Sequence, residues 1–243
     1  MYRRCAVLAA IVVLLAAVVP AQGVSFASVE VLRPVLARML GSPVQMRLDV
    51  VPDTYEGGYA RISVYAQGAS VGGMRIDEVW MRLVGASFDP AELQRGTLKV
   101  LQVRDSGVFG RLNLQSVETF LQQQGTIKDV RLSRDEDMVT ATGTLLFNGV
   151  PTHVRLMGEF QVFGEPEIRF HIRTLVVNGL PMPYALVERL EQQMNPVVDF
   201  RSWPVPFKIR SLRPSQGGFV LSSQRDFSQP CVDCGGPEQR LTP

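Results

Sequence analysis

From Val44 onward, block after block of this chain alternates apolar and polar residues, and that period of two restricts it to sheet-forming folds. In "VQMRLDV" Val44, Met46, Leu48 and Val50 share one side and Gln45, Arg47 and Asp49 the other, which predicts a half-buried strand. "YARISVYAQG" continues the pattern, with Ile62, Val64 and Ala66 set against Arg61, Ser63 and Tyr65. "GGMRIDEVWMRLVGASFD" offers a long strand with Val79, Met81 and Leu83 opposite Trp80 and Arg82, and "TLKVLQVRD" another. Four further strands are expected over roughly 127–134, 138–147, 151–163 and 167–177, joined by turns such as "RDED", "NGVP" and "FGEP" that suit an antiparallel meander.

Between the strands the period changes to that of a helix. Val31, Leu32, Val35, Leu36, Met39 and Leu40 mark a helix over 28–40 that Pro34 should start or kink. "DPAELQRG" reads as a turn or a single helical turn. "NLQSVETFLQQQG" predicts a helix capped by Asn113, with Leu114, Val117, Phe120 and Leu121 on one face and Gly125 at its close. A last helix runs from Pro183 to Met194 with the stripe Leu186, Val187, Leu190 and Met194. The expected class is α+β, one domain over 24–222 in which half-greasy strands and half-greasy helices cover each other.

The beginning, "MYRRCAVLAAIVVLLAAVVPAQG", has Arg3 and Arg4, an apolar run from Ala6 to Val19 and then Pro20, the pattern of a signal peptide over 1–23. The run falls short of the roughly 20 residues a membrane span needs, and Cys5 has no lipobox before it. Taking the two leader arginines from 25 basic residues leaves 23 against 23 acidic ones, so bulk charge gives nucleic acid no hold. Residues 223–243 are rich in Gly, Pro, Ser and Gln and predict a flexible tail. Its Cys231 and Cys234 lack a second pair or a histidine to complete a metal site, and fit a small disulfide loop or no role.

Residues that could carry catalysis are few. His153 and His171 share strand parity with Arg155, Arg169 and Arg173, which puts them on a solvent face. No sequence of the kinds that seat a metal, a nucleophile or a phosphate is present. The acidic run from Asp135 to Met138 reads as a hairpin turn, lacking the glycine and distal glutamate of a calcium loop. Neither enzyme activity nor a cofactor is expected. Apolar surface is abundant instead, and Met46, Met81, Met157, Met182 and Met194 at or near it have flexible thioethers suited to variable hydrocarbon.

"GGYARISVYAQGASVGGMRIDEVWMRLVGASFDPAELQRG", then "GRLNLQSVETFL", then "VVNGLPMPYALVERLEQQMNPVVDF…WPVPFKI" and "GGFVLS" resemble, in that succession, the LmeA-like phospholipid-binding family of bacterial envelope proteins. The resemblance spans about 29–222 and departs from that family in the Cys-x-x-Cys tail. It implies a TULIP-like fold, in which a long curved antiparallel sheet wraps amphipathic helices and leaves an apolar tunnel. The helix from Pro183 to Met194 would be the rod inside the sheet, and the proline-spaced segment after it an edge strand that cannot recruit another chain. The tunnel would be lined by Val79, Met81, Leu83, Leu145, Phe147, Phe170, Ile172, Leu186, Leu190 and Met194. The implied function is extracytoplasmic binding of membrane phospholipid, with transient contact to a membrane surface and no nucleic-acid partner; oligomeric state stays open. The alternative is a non-catalytic envelope scaffold or partner-binding module with a dry core.

Overall fold

In the computed structural model of the chain, the described residues are 29–54, 58–71, 73–123, 125, 127–135, 138–147, 150–164, 166–215 and 217–223. The expected leader and the tail cysteines lie outside them. Two antiparallel sheets and four helices make up this part of the chain. The first sheet, A, has the order β1 (Gln45–Pro52), β2 (Gly58–Val71), β3 (Met74–Phe88), β5 (Asp105–Asn113), β13 (Gly218–Ser222) and β12 (Ser211–Ser215), with β4 (Val100–Gln102) on β3. The second, B, runs β10 (Leu180–Pro181), β9 (Glu167–Val177), β8 (Val150–Phe163), β7 (Met138–Phe147) and β6 (Ile127–Asp135), with β11 (Val198–Asp199) also on β9.

Two sheets thus stand where one long sheet was expected. The division falls at helix α3 (Leu114–Gln123), which follows the last residue of β5 and touches β3 and β5 on one side and β6 on the other. Its start follows from its sequence: the Asn113 side chain accepts from the Ser116 N–H at 2.7 Å, filling one of the amide positions that a helix leaves open, and Gly125 takes φ +74° after its end. Helix α1 (Val29–Met39) buries Leu32, Val35 and Leu36 and packs on β1 and on α2 (Pro90–Gln94), keeping Pro34 inside it. Asp89 caps α2 by accepting from Ala91 and Glu92.

The alternation along β2 and β3 is broken at two glycines and at the points opposite them, where Tyr59 and Ile62, and Ile76 and Val79, are likewise three apart. Across Gly68 the buried set passes from Ala66 to Ala69, and across Gly85 from Leu83 to Ala86, each a step of three. Both glycines have positive φ, +67° and +58°, a conformation open to residues without a Cβ. The flip keeps the long β2–β3 hairpin facing the core at its ends as well as in its middle. One main core cluster contains residues of both sheets. On the far face of sheet A, Trp80 and Phe109 form a separate cluster with Tyr65 and Val220.

Two expectations about elements are corrected. "TLKVLQVRD" supplies only the three-residue β4 and the first residue of β5, whereas "DSGVFGRLN", which was not expected to be a strand, is β5. The proline-spaced segment 203–209 forms no ladder. Val205, Phe207 and Ile209 are still buried while Pro204, Pro206 and Lys208 are exposed, so its alternation is that of an extended plug whose prolines lack the donors a strand needs.

Candidate functional site

Among the described residues, two apolar cavities adjoin each other at the core. The larger, about 50 Å³, lies between the sheets: Met74, Ile76 and Leu112 wall it from sheet A, Ile168 and Phe160 from sheet B, and Val117 from α3. The smaller, about 20 Å³, is enclosed by Ile127, Val139, Leu156 and Phe170 of sheet B together with Leu121 of α3 and Met194 of the last helix, α4 (Tyr184–Met194). Phe160 and Val197 line both cavities and so form the partition between them.

The partition is an aromatic stack across the two sheets. Phe160 meets Phe170 of the neighbouring strand at 4.9 Å between ring centres and Phe219 of sheet A at 5.0 Å, both edge-on. Phe219 and Leu221 of β13 complete the larger cavity.

Helix α4 is not the rod inside the sheet. It buries Val187 fully, keeps Leu190 and Met194 half-buried and leaves Tyr184 and Leu186 exposed. Its place is the open edge of β9, where its polar side chains take the role of a missing strand. Asn195 accepts from the Phe170 N–H at 2.7 Å and donates to the Phe170 carbonyl at 3.0 Å, and Glu191 accepts from the Ile172 N–H. An irregularity in the β8–β9 register at Met157/Gly158 lies beside these residues. His171 is half-buried, its Nδ1 3.0 Å from the same Glu191 carboxylate; His153 is exposed, as its parity predicted.

Next along, β11 is held on β9 by charge. Buried Glu167 meets Arg169 at 2.8 Å and Arg201 at 2.9 Å, and Arg201 also grips Asp199 at 2.7 Å. The Arg201 hydrogen bonds hold the Asp199 carboxyl below its ordinary value. The chain then turns through Phe200 and Trp203, whose rings stand 5.4 Å apart; Phe200 lines the larger cavity. The α4–β11 segment is therefore an outer wall of both cavities.

Of the residues predicted to line a tunnel, Phe170 and Met194 line the smaller cavity. Val79, Met81, Leu83 and Ile172 are packed in the core, and Leu145 is half-buried opposite Ile127. Leu186 is exposed and Leu190 half-buried. Phe147 ends β7, and its side chain lies outside the described residues. Among the methionines, Met157 is exposed on the outer side of β8, while Met74, absent from the expected set, faces the larger cavity. Phe160, Val197 and Phe219 were also missed; the available signals were the parity of Phe160 with Val154 and Leu156, and the apolar residues of "GGFVLS".

A polar cleft of about 280 Å³ opens on the other side of sheet A at Asp77, Glu78, Arg111 and Asn113. Its carboxylates are engaged by neighbours: Asn113 donates to Asp77 at 2.7 Å, and Arg111 meets Glu78 at 3.1 Å. Burial, followed by the nearby Glu78 charge, pushes the Tyr65 hydroxyl pKa up. Among the described residues no group of three or more His, Cys, Asp or Glu side chains could hold a metal, and no helix is long and apolar enough to cross a membrane. No family model, curated protein or solved structure matches the chain.

Proposed function

We propose that this chain is an extracytoplasmic phospholipid-binding protein of the LmeA-like, TULIP-like kind, which accepts acyl chains between its sheets and the α4–β11 wall. The observation that carries the reading is the pair of adjoining apolar cavities divided by one phenylalanine ring and walled on the outside by the segment from Met194 at the end of α4 to Phe200. The succession of sequence blocks and the leader pattern support the same reading. Burying a chain of about sixteen carbons is worth on the order of 12 kcal/mol, at about 0.8 per methylene. A bilayer offers nearly the same, so exchange between membrane and protein is close to balanced and needs no fuel.

The cavities are small. An engineered cavity of roughly 150 Å³ takes a single benzene ring, so an acyl chain enters only if Phe160 turns and the wall parts. That smallness favours a second reading, a non-catalytic envelope scaffold whose core stays dry. Solvent extraction of the purified protein separates the two. Wild type and the control Arg189→Glu, altered on the exposed side of α4, are expected to carry phospholipid. Leu190→Glu, which places a charge on the half-buried stripe, is expected to lose it while keeping its far-UV signal, because a wall beside a cavity admits water more readily than a packed core does. A folded Leu190→Glu with wild-type lipid overturns the role of this wall, and lipid-free wild type supports the scaffold.

A further inference from the structure

One end of sheet B is built unlike the other. In sequence, the connection from β6 to β7 carries Asp135, Glu136 and Asp137, and that from β8 to β9 carries Glu165. At the near end, by contrast, the chain has no carboxylate from Met138 to Gly158 and none from Ile168 to Val187. These two acid-free stretches meet there. Phe147 pairs with Val150 at the β7–β8 turn, Asn178 bonds His153 through both its N–H and its side chain, and Leu180 folds back onto Val177 before α4 begins.

Apolar side chains are displayed at this end. Val150 is 62% exposed, Leu180 66%, Tyr184 74% and Leu186 37%. Scattered exposed leucines need no explanation, but here Val150 and Leu180 stand beside acid-free turns and Tyr184 and Leu186 on the first turn of α4 that follows, with two prolines, Pro181 and Pro183, between Leu180 and Tyr184. Cations stand one and two rows back. Lys128 lies opposite Thr144, Thr144 opposite His153, and Thr142 opposite Arg155, with Lys128, His153 and Arg155 all exposed. The carboxylates that flank this end in sequence, Asp129 and Glu188, each adjoin a cation, Lys128 and Arg189.

We infer that this end of sheet B docks on an anionic phospholipid bilayer, with Leu180, Tyr184 and Val150 entering the interfacial layer and Lys128 and Arg155 facing lipid phosphates. Aliphatic groups and a tyrosine set ahead of basic residues suit that boundary, where hydrocarbon, water and negative charge meet within a few ångströms. Docking this way brings the start of α4, the cavity wall, against the membrane, so the inference rests on the lipid-binding reading for its use.

The test is flotation of the protein, in the form its cell accumulates, with vesicles of pure phosphatidylcholine and with vesicles of equal parts phosphatidylcholine and phosphatidylglycerol. Bound lipid and thermal midpoint are measured on the same samples. Wild type should bind the anionic vesicles about tenfold more tightly than the neutral ones. The double variant Val150→Asp, Leu180→Asp should lose about tenfold or more on anionic vesicles, with its thermal midpoint and bound lipid unchanged. If that variant does not fold, Lys128→Glu with Arg155→Glu serves, and should abolish the preference for phosphatidylglycerol. Equal binding to both vesicles, or wild-type binding by a folded double variant, overturns the inference. So does a variant that leaves vesicle binding intact but turns a self-associated protein into monomers, which would make this end a contact between copies. A protein that carries lipid yet floats with neither vesicle overturns docking and leaves lipid binding standing; one that floats as expected but never carries lipid does the reverse.

Discussion

Sheet B is closed at both edges by a helix, and the two closures share one device but not one strength. At the β6 edge, α3 presents Glu118 and Gln122, four residues apart: Glu118 accepts from the Leu132 N–H at 2.6 Å and Gln122 donates to the Val130 carbonyl at 3.1 Å. At the β9 edge, Glu191 and Asn195, with the same spacing, serve Ile172 and Phe170. Each pair places a carboxylate and a carboxamide on one side of a helix, as its period requires, and each satisfies backbone groups that would otherwise template another strand. The difference lies behind the pair. Helix α3 also buries Ser116, Val117 and Phe120 and reaches sheet A, whereas α4 fully buries Val187 alone. One closure is part of the core; the other is fastened mainly along its edge. A wall that must open is better made in the second way, because local opening draws on elements with few buried contacts.

The contrast should be largest in the core contacts. Phe120→Ala is expected to cost about 3–5 kcal/mol, the range for a buried phenylalanine, and Val187→Ala about 1.5–2 kcal/mol from the two methyl carbons removed. Denaturant unfolding of both variants measures this, and equal losses would make α4 as much a core helix as α3. A smaller effect belongs to the edge bonds. Asn195→Ala frees both backbone groups of Phe170 at a cost of about 2 kcal/mol, against about 1 for Gln122→Ala, which frees one. Amide exchange at Phe170 should then quicken by roughly thirty-fold, at tenfold per 1.4 kcal/mol, whereas Gln122→Ala, which leaves the Leu132 N–H on Glu118, should change exchange at Leu132 little. Similar acceleration at both edges would erase the distinction.

The smallest effect is in pH. The Arg201 hydrogen bonds hold Asp199 below its ordinary 3.8, and Arg173, then Gln161, hold Glu159 below its ordinary 4.5. With folded values below unfolded ones, the native chain binds fewer protons in this window, so the stabilisation is present above those ordinary values and disappears as the pH falls through the depressed ones. Both carboxylates lie half-buried at the surface, within reach of solvent, so the effect on global stability is slight. Exchange measured across acid pH should show the β9–β11 pairing loosening before the β6–β7 ladder; simultaneous loosening would remove charge from the account of this edge.

Much of sheet B was legible because its signals are local. The strands 127–135, 138–147, 150–163 and 167–177 lie within a residue or so of their expected bounds, where alternation and tight turns agree. The Asn113 cap fell where read for the same reason. Strand β5 escaped because Gly107 and Gly110 dilute its alternation. Gly110 has a packing reason to be there, since a Cβ would stand 3.1 Å from Leu221 Cγ on the paired strand β13, far away in sequence. The place of α4 was illegible from its stripe, since Leu186, Val187, Leu190 and Met194 say that one side is greasy but not whether it meets a sheet's face or its edge. What decides that is Glu191 and Asn195 finding free amides on β9, a tertiary match that no local period encodes. The cavities were legible only in part for a similar reason: Phe160, Phe170 and Phe219 come together from three strands of two sheets.

The chain's two tryptophans sit in unlike surroundings. Trp80 is buried on the far face of sheet A between Tyr65 and Phe109, with its indole nitrogen unpaired and the Arg111 guanidinium 5.6 Å from its ring centre. Trp203 stacks between Phe200 and Phe207, one ring from the larger cavity. Emission from the protein is therefore a sum of two sources. One is insulated from events between the sheets by the thickness of sheet A, while the other shares an aromatic contact with the wall that would have to part. Their ratio constitutes a label-free optical gauge of that wall, with its own internal reference built into the opposite face of the sheet.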